Sequence, residues 1–238
     1  MATYVLSDIH GEYELFEKML EKINLQSTDT LYVLGDVLDR GPHPIETILK
    51  LMEMPNAICI IGNHEYMAIQ CLGFLSQEIT EETIQRLDAR EIANLHNWLS
   101  NGAASTIREF HALGEEMRQE VIEFIKEFSA FEEVTVNGTD YLLVHAGLGN
   151  YAPGKPLEEY TLHDIIWSRA DYDTKYFEDR YVITGHTPTQ VIKKNPRPGY
   201  IYRINNHIAI DCGCTFKGGR LGAICLDTGE EFYVEGLS

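Results

Sequence analysis

Six side chains able to ligate a divalent cation stand just after short apolar runs. Asp8 and His10 follow residues 4–6, Asp36 follows 31–34, Asn63 follows 58–61, His145 follows 141–144, and His186 follows 181–184. Taken singly, each has a plain structural explanation: Asp and Asn after a strand form turns or cap helices, and an isolated His packs beside a sheet. Together they point elsewhere, because the carboxyl ends of parallel strands open onto one crevice and ligands bind there. Gly11, Gly35, Gly41, Gly62, Gly147 and Gly185 punctuate the same turns and permit sharp backbone reversals. A set of Asp, His and Asn without a thiolate suits Mn, Fe or Zn better than an all-oxygen Ca or Mg cage. One ion does not normally take six protein ligands, so the set divides. Asp8, His10 and Asp36 fall to one ion, and Asp36, Asn63, His145 and His186 to a second, with Asp36 shared. Two carboxylates against the charge of two divalent ions leave about +2, which suits a phosphate dianion.

Such ligands need a framework that gathers the strand ends. The first third alternates β-branched runs at 4–6, 31–34 and 58–61 with amphipathic stretches at about 12–23 and 45–54, the pattern of stacked βαβ units and a mostly parallel sheet. From Glu65 to about Phe131 the pattern turns helical, with Ile84, Leu87, Ile92, Leu95 and Leu99, then Val121, Ile122, Ile125 and Phe128, at spacings of three and four. Strands at 134–136 and 141–144 flank Asn137-Gly138, a two-residue hairpin turn, and further strands follow at 181–184, 201–204, 208–210, 221–226 and 231–234. The fold class that uses all of these is α/β: two packed mixed β-sheets, a β-sandwich flanked by helices. It forms a single domain over 1–238 with a helical insertion at about 65–131.

Composition narrows the partners. With 238 residues, 44% hydrophobic and 24% charged, the chain reads as an ordinary globular domain. Lys and Arg number 19 against 37 Asp and Glu, a net charge of -18 that repels nucleic-acid backbones and anionic membranes. Neither is an expected partner. The N-terminal stretch lacks a basic start and a long apolar run, so the expected location is the cytoplasm. Five cysteines, only Cys212 and Cys214 of them close in sequence, are expected as reduced thiols.

The strings Ser7-Asp-Ile-His-Gly11, Gly35-Asp-Val-Leu-Asp-Arg-Gly41, Gly62-Asn-His-Glu65, His145-Ala-Gly147 and Gly185-His-Thr187 resemble, in family order, the motifs of the calcineurin-like metallophosphoesterases. Among these the chain is similar to the bacterial and phage serine/threonine phosphatases of the lambda type. The resemblance implies an α/β sandwich and a dinuclear centre ligated as divided above, with Mn preferred over Fe or Zn. It also implies His64 as an acid paired with Asp39, and phosphate binding by Arg40 together with Asn63 and His64. Trp167-Ser-Arg169 resembles the segment carrying a second phosphate-binding arginine, which gives Arg169 that role; pairing of Arg169 to a surface carboxylate is the alternative. Trp98 to Gly102 resembles a Trp and Asn-Gly element near the lambda-type site, although Ala103 departs from a further Gly, and core packing is the other reading of Trp98.

The expected reaction is metal-dependent hydrolysis of phosphomonoesters, foremost phosphoserine and phosphothreonine in proteins. A hydroxide between two ions roughly 3.5 to 4 Å apart would attack phosphorus in line, with no phosphoenzyme. Arg40 and Arg169 would neutralise the equatorial oxygens. His64 would protonate a poor leaving group, an effect of about 100 to 10,000-fold. Symmetrical dinucleoside-tetraphosphate hydrolases share the metal motifs and are the alternative, with other small phosphoesters. Asp39 and Glu65 lean toward the phosphatase branch, by resemblance. A catalytically silent metal-binding scaffold would leave gaps in the catalytic set, and the sequence has none. The expected partner is a phosphorylated protein or small phosphoester, and the sequence carries no sign of oligomeric state.

Overall fold

The computed structural model describes residues 1–77 and 85–236. Its strands are β1 (Thr3–Leu6), β2 (Thr30–Val33), β3 (Ala57–Cys59), β4 (Phe131–Val136), β5 (Thr139–Val144), β6 (Arg180–Thr184), β7 (Tyr202–Ile204), β8 (His207–Ala209), β9 (Arg220–Cys225) and β10 (Glu231–Glu235). They form two five-stranded mixed sheets, ordered β10-β9-β1-β2-β3 and β4-β5-β6-β8-β7. β1, β2 and β3 run parallel in the first sheet, and β5, β6 and β8 in the second. The ligand-bearing strand ends therefore come from two sheets and not from one open sheet.

Side chains alternate along these strands between two cores, as the two-residue period of a strand requires. Val5, Tyr32, Leu34, Leu143, Ile183 and Ile208 meet between the sheets. Their neighbours Leu6, Leu31 and Val33 pack outward under helices with Phe16, Met19, Ile45 and Ile48, while Leu142, Val144 and Val182 pack with Tyr160, Ile165 and Ile166. Burial on both faces explains why these strands read as continuous apolar runs.

The helices are α1 (Tyr13–Lys22), α2 (Pro44–Met52), α3 (Asn63–Leu75), α4 (Ala89–Ser100), α5 (Ala104–Ala112), α6 (Glu115–Lys126) and α7 (Leu162–Ile166). Pro44 starts α2 where a missing N–H costs nothing, and Asp88 caps α4 by accepting from the amides of Arg90 and Glu91. The helical stretch begins at Asn63 and ends at Lys126. β4 starts at Phe131, three residues earlier than the apolar pattern suggests, because Phe131–Val136 pairs along its whole length with β5. Asn137 and Gly138 take φ of 50° and 78°, the double left-handed geometry of a tight hairpin turn.

Two expectations change. On α4, Ile92 and Leu99 are 54% and 48% exposed, and the fully buried side chain is Trp98. Ile84 lies outside the described residues. Trp98, Phe110, Val121 and Ile125 join the same core as Phe16 and Ile48, so α4, α5 and α6 share the packing of the first sheet. All five cysteines are buried free thiols. Among the described residues no helix is long and apolar enough to cross a membrane.

Candidate metal centre and phosphate site

The loops leaving the strand ends carry the site in an unusual backbone state. Asp8, His10, Asp36, Asp39, Arg40 and His186 have φ of 52°, 48°, 52°, 72°, 68° and 60°. Non-glycine residues seldom enter this left-handed region, and such strain gathers at functional sites. Cross-loop bonds hold it in place: the amides of Asp8, His10 and Gly11 donate to the carbonyls of Gly35, Asp36 and Val37 at 3.0, 2.9 and 2.8 Å. Gly62 and Gly185 are required by close approach, since a Cβ there would lie 2.3 Å from Asp36 Oδ1 and 2.2 Å from Asp8 Oδ2.

Asp36 sits between two ligand clusters and offers one oxygen to each. Its Oδ2 lies 3.7 Å from His10 Nε2 and 3.9 Å from His64 Nε2. Its Oδ1 lies 3.4 Å from His145 Nε2. His10, Asp36 and His64 form one group, and Asp36, His145 and His186 another, with the ligand atoms of each within 4.8 Å of one another. Nδ1 of His10 donates to Leu38 O at 2.9 Å and Nδ1 of His145 to Leu34 O at 2.6 Å. Each ring therefore turns an Nε2 lone pair inward, the arrangement that orients histidine toward a metal.

Asn63 belongs to the second group. Its Oδ1 lies 3.1 Å from His145 Nε2 and 2.9 Å from His186 Nδ1. Neighbouring donors at right angles around one ion, on bonds of about 2.1 Å, stand about 3.0 Å apart. The His145 contact sets one lone pair against another, and a cation between them relieves it. Around His10 the structure groups Asp36 with His64, while Asp8, the third member of the expected set, accepts the His186 amide at 3.0 and 3.2 Å. Arg40 stands among these rings, Nη1 donating to His10 Nε2 at 2.6 Å and Nη2 to His64 Nε2 at 3.0 Å. Its guanidinium satisfies the lone pairs that a divalent cation also seeks.

Titration directions agree with a cation site. Burial, then Asp211 and Asp36, pushes the Asp8 carboxyl well above the usual range, and burial, then Glu65, does the same to Asp36. Burial lowers His145 and holds His10 and His64 well below the usual imidazole value, and it takes His186 down to about 3. Neutral imidazoles are the ligating form, and buried carboxyls short of positive charge gain it from bound cations. The donor set fits two divalent ions bridged by Asp36.

Beside it lies the His64–Asp39 pair, Nδ1 to Oδ2 at 2.6 Å, both fully buried. Trp98 Nε1 donates to the same Oδ2 at 2.7 Å, and Thr106 Oγ1 to Asp39 Oδ1 at 2.5 Å. Burial raises Asp39 to about 7 despite these donors and Arg40. Trp98 is thus core and site residue at once. The Arg40 amide donates to Gly102 O at 3.0 Å, so the turn between α4 and α5 also holds the Asp39-Arg40 loop. Arg169 is exposed, near enough for its charge to bear on His186 and Asp211, and has no hydrogen bond or ion pair among the described residues, so the surface carboxylate pairing does not form.

Two carboxyls were not legible as site parts. Glu65 accepts the amides of Asp36, Val37, Leu38 and Gly62 at 2.8, 2.9, 3.1 and 3.0 Å, fixing the Asp36 loop to the start of α3. Asp211 is buried and its pKa is pushed up to about 6, first by burial. Residues 208–210 run into Asp211 much as 31–34 run into Asp36, so the signal is present in the chain. To the extent that Asp39, Glu65 and Asp211 ionise, they reduce the surplus of about +2 counted from Asp8 and Asp36 alone, and the arginines add positive charge for a phosphate.

A model of the calcineurin-like phosphoesterases matches residues 1–202. The chain belongs to that family. One relative of this calcineurin-like phosphoesterase is an asymmetrical bis(5'-nucleosyl)-tetraphosphatase of Halalkalibacterium halodurans, 28% identical and covering 92% of this chain and 88% of its own. Another is serine/threonine-protein phosphatase 2 of Salmonella typhimurium, 31% identical over 70% of this chain and 67% of its own. A crystal structure provisionally described as a diadenosine tetraphosphatase superposes with a TM-score of 0.67 at 16% identity, over 100% of this chain and 94% of that one. The fold is therefore that of the family.

Proposed function

We propose that this calcineurin-like phosphoesterase hydrolyses dinucleoside tetraphosphates with two divalent ions, Mn foremost. The observation that carries the reading is coverage: the tetraphosphatase relative matches 92% of this chain and 88% of its own, against 70% and 67% for the protein phosphatase. The net charge of -18 disfavours nucleic acid and membrane partners, and any anionic substrate therefore needs a local basic site to receive it.

Two ions at this centre would supply Lewis-acid polarisation of the phosphate and an activated water. Asp8, His10, Asp36, Asn63, His145 and His186 would hold them. Glu65 fixes the Asp36 loop through four amides, so the bridging carboxylate is preorganised. Arg40, relieved of His10 and His64, and the unpaired Arg169 would bind the non-bridging oxygens of the reacting phosphate. Asp39 fixes Nδ1 of His64, so that Nε2, once released by Arg40, would be the nitrogen available to the leaving oxygen.

A second reading, a serine/threonine phosphatase, is favoured by the 2.6 Å His64–Asp39 contact, because an alkoxide needs an acid far more than a nucleotide phosphate does. Turnover of a dinucleoside tetraphosphate, a phosphoserine peptide and a mononucleotide, each with Mn, Fe or Zn, decides between them. A preference for the dinucleotide supports the first reading. Faster turnover of the phosphopeptide overturns it.

A further inference from the structure

Next to the metal centre the surface opens into a cavity of about 370 Å³, lined by Arg169, Thr187, Ile192, Lys193 and Lys194 among others. This is within the range of small-ligand pockets, about 300 to 1,000 Å³. Thr187 directly follows the ligand candidate His186, and Trp167, two residues before Arg169, lies edge-on to the His186 ring at 6.4 Å, so the cavity adjoins the metal centre. Its lining sets Lys193 and Lys194 beside Asp171 and Asp173. Lys194 pairs with Asp173, and Lys193 has no hydrogen bond or ion pair among the described residues. In a chain with 37 acidic and 19 basic residues, three cations against Asp171 and Asp173 leave this cavity with a local positive excess, and Arg169 and Lys193 are the cations with no ion pair among the described residues. Val191, 54% exposed, and the buried Ile192 add an apolar surface beside the charges.

We propose that this cavity is the subsite for the half of the substrate that does not react: its remaining phosphates on Lys193 and Lys194, its nucleoside against Val191, with Arg169 joining subsite to metal centre. The ligand class is a nucleoside oligophosphate. The assignment rests on the dinucleotide reading for its substrate and on the cavity's own charge and shape for its location. A phosphoserine peptide, whose ester oxygen leads into polypeptide, carries no further phosphates for these lysines to receive.

The test compares wild type with the surface double variant Lys193→Ala/Lys194→Ala, metal in excess. KM for a dinucleoside tetraphosphate should rise about tenfold with kcat within about twofold, while turnover of an aryl phosphate stays unchanged. An unchanged KM, or an equal loss on both substrates, overturns the subsite. If wild type does not cleave the dinucleotide, the functional reading fails on its own, and inhibition of aryl phosphate turnover by ADP judges the cavity. A constant about tenfold weaker in the double variant sustains the subsite. Equal constants, or no inhibition of wild type by ADP, end it.

Discussion

The indole Nε1 of Trp98 donates to Asp39 Oδ2 at 2.7 Å, on the same oxygen that holds His64 Nδ1 at 2.6 Å. A residue from α4 thereby reaches the acid pair through the core. Trp98→Phe keeps most of the buried volume and removes the donor, so Asp39 loses one of its orienting bonds and the protein loses about 1 kcal/mol. Turnover of an alkyl phosphate should fall about tenfold, and that of an activated aryl phosphate much less, because only the poor leaving group depends on His64. Equal losses on both substrates would show that Trp98 acts through packing alone.

Asp36 separates activity from stability. Asp36→Asn should lower metal content from two ions per chain toward none or one by elemental analysis, and activity by at least about a hundredfold. Without metal the same change removes a buried carboxyl whose charged form burial and Glu65 disfavour. The metal-free variant should therefore melt no lower than metal-free wild type, and added Mn should no longer raise its melting temperature. A metal-dependent rise equal to that of wild type would argue against a bridging Asp36.

Glu65 tests whether loop order supports the ions. Glu65→Gln replaces one acceptor oxygen with an amide group that faces backbone donors, so two of the four amides lose their partner. Affinity for Mn should drop about 10- to 100-fold with the ligands themselves intact, measured by metal titration. An unchanged affinity would reduce Glu65 to a folding role.

His207 gives a pH signature away from the metals. The buried ring contacts Thr184 Oγ1 through Nε2 at 2.8 Å, and burial lowers its pKa from 6.5 to about 4. Between those values the unfolded chain binds the proton and the folded one does not. Its contribution is thus complete above pH 6.5 and lost as pH falls toward about 4, at most about 3 kcal/mol. His207→Phe should flatten the stability profile over that window, at some cost at neutral pH from the orphaned Thr184 hydroxyl. Urea unfolding from pH 4 to 7 reads the slope, and identical slopes in both proteins would refute the assignment.

Much of the site is legible along the chain because strand ends are local features. The runs before Asp8, Asp36, Asn63, His145 and His186 end in ligand-type residues whatever the chain does later. The Asn137-Gly138 turn and the Pro44 helix start are equally local in cause. The continuous apolar runs likewise carry strands buried on both faces, since Val5 and Leu6 face opposite cores.

What is not legible depends on distances no spacing reports. Periodicity places Ile92 and Leu99 on the buried side of α4, yet the core accepts Trp98, because a buried carboxyl at Asp39 offers its N–H an acceptor. Asp211 can be seen as a strand-end acid but not as a member of a centre built by residues far earlier in the chain. Only the tertiary structure decided that His64 stands with His10 and Asp36, that Glu65 turns inward to four amides, and that Arg169, Lys193 and Lys194 face one cavity. Sequence determines which chemical groups end each strand. The packing of two sheets against each other determines which of those groups meet, because burial and electrostatic compensation act through space and not along the chain.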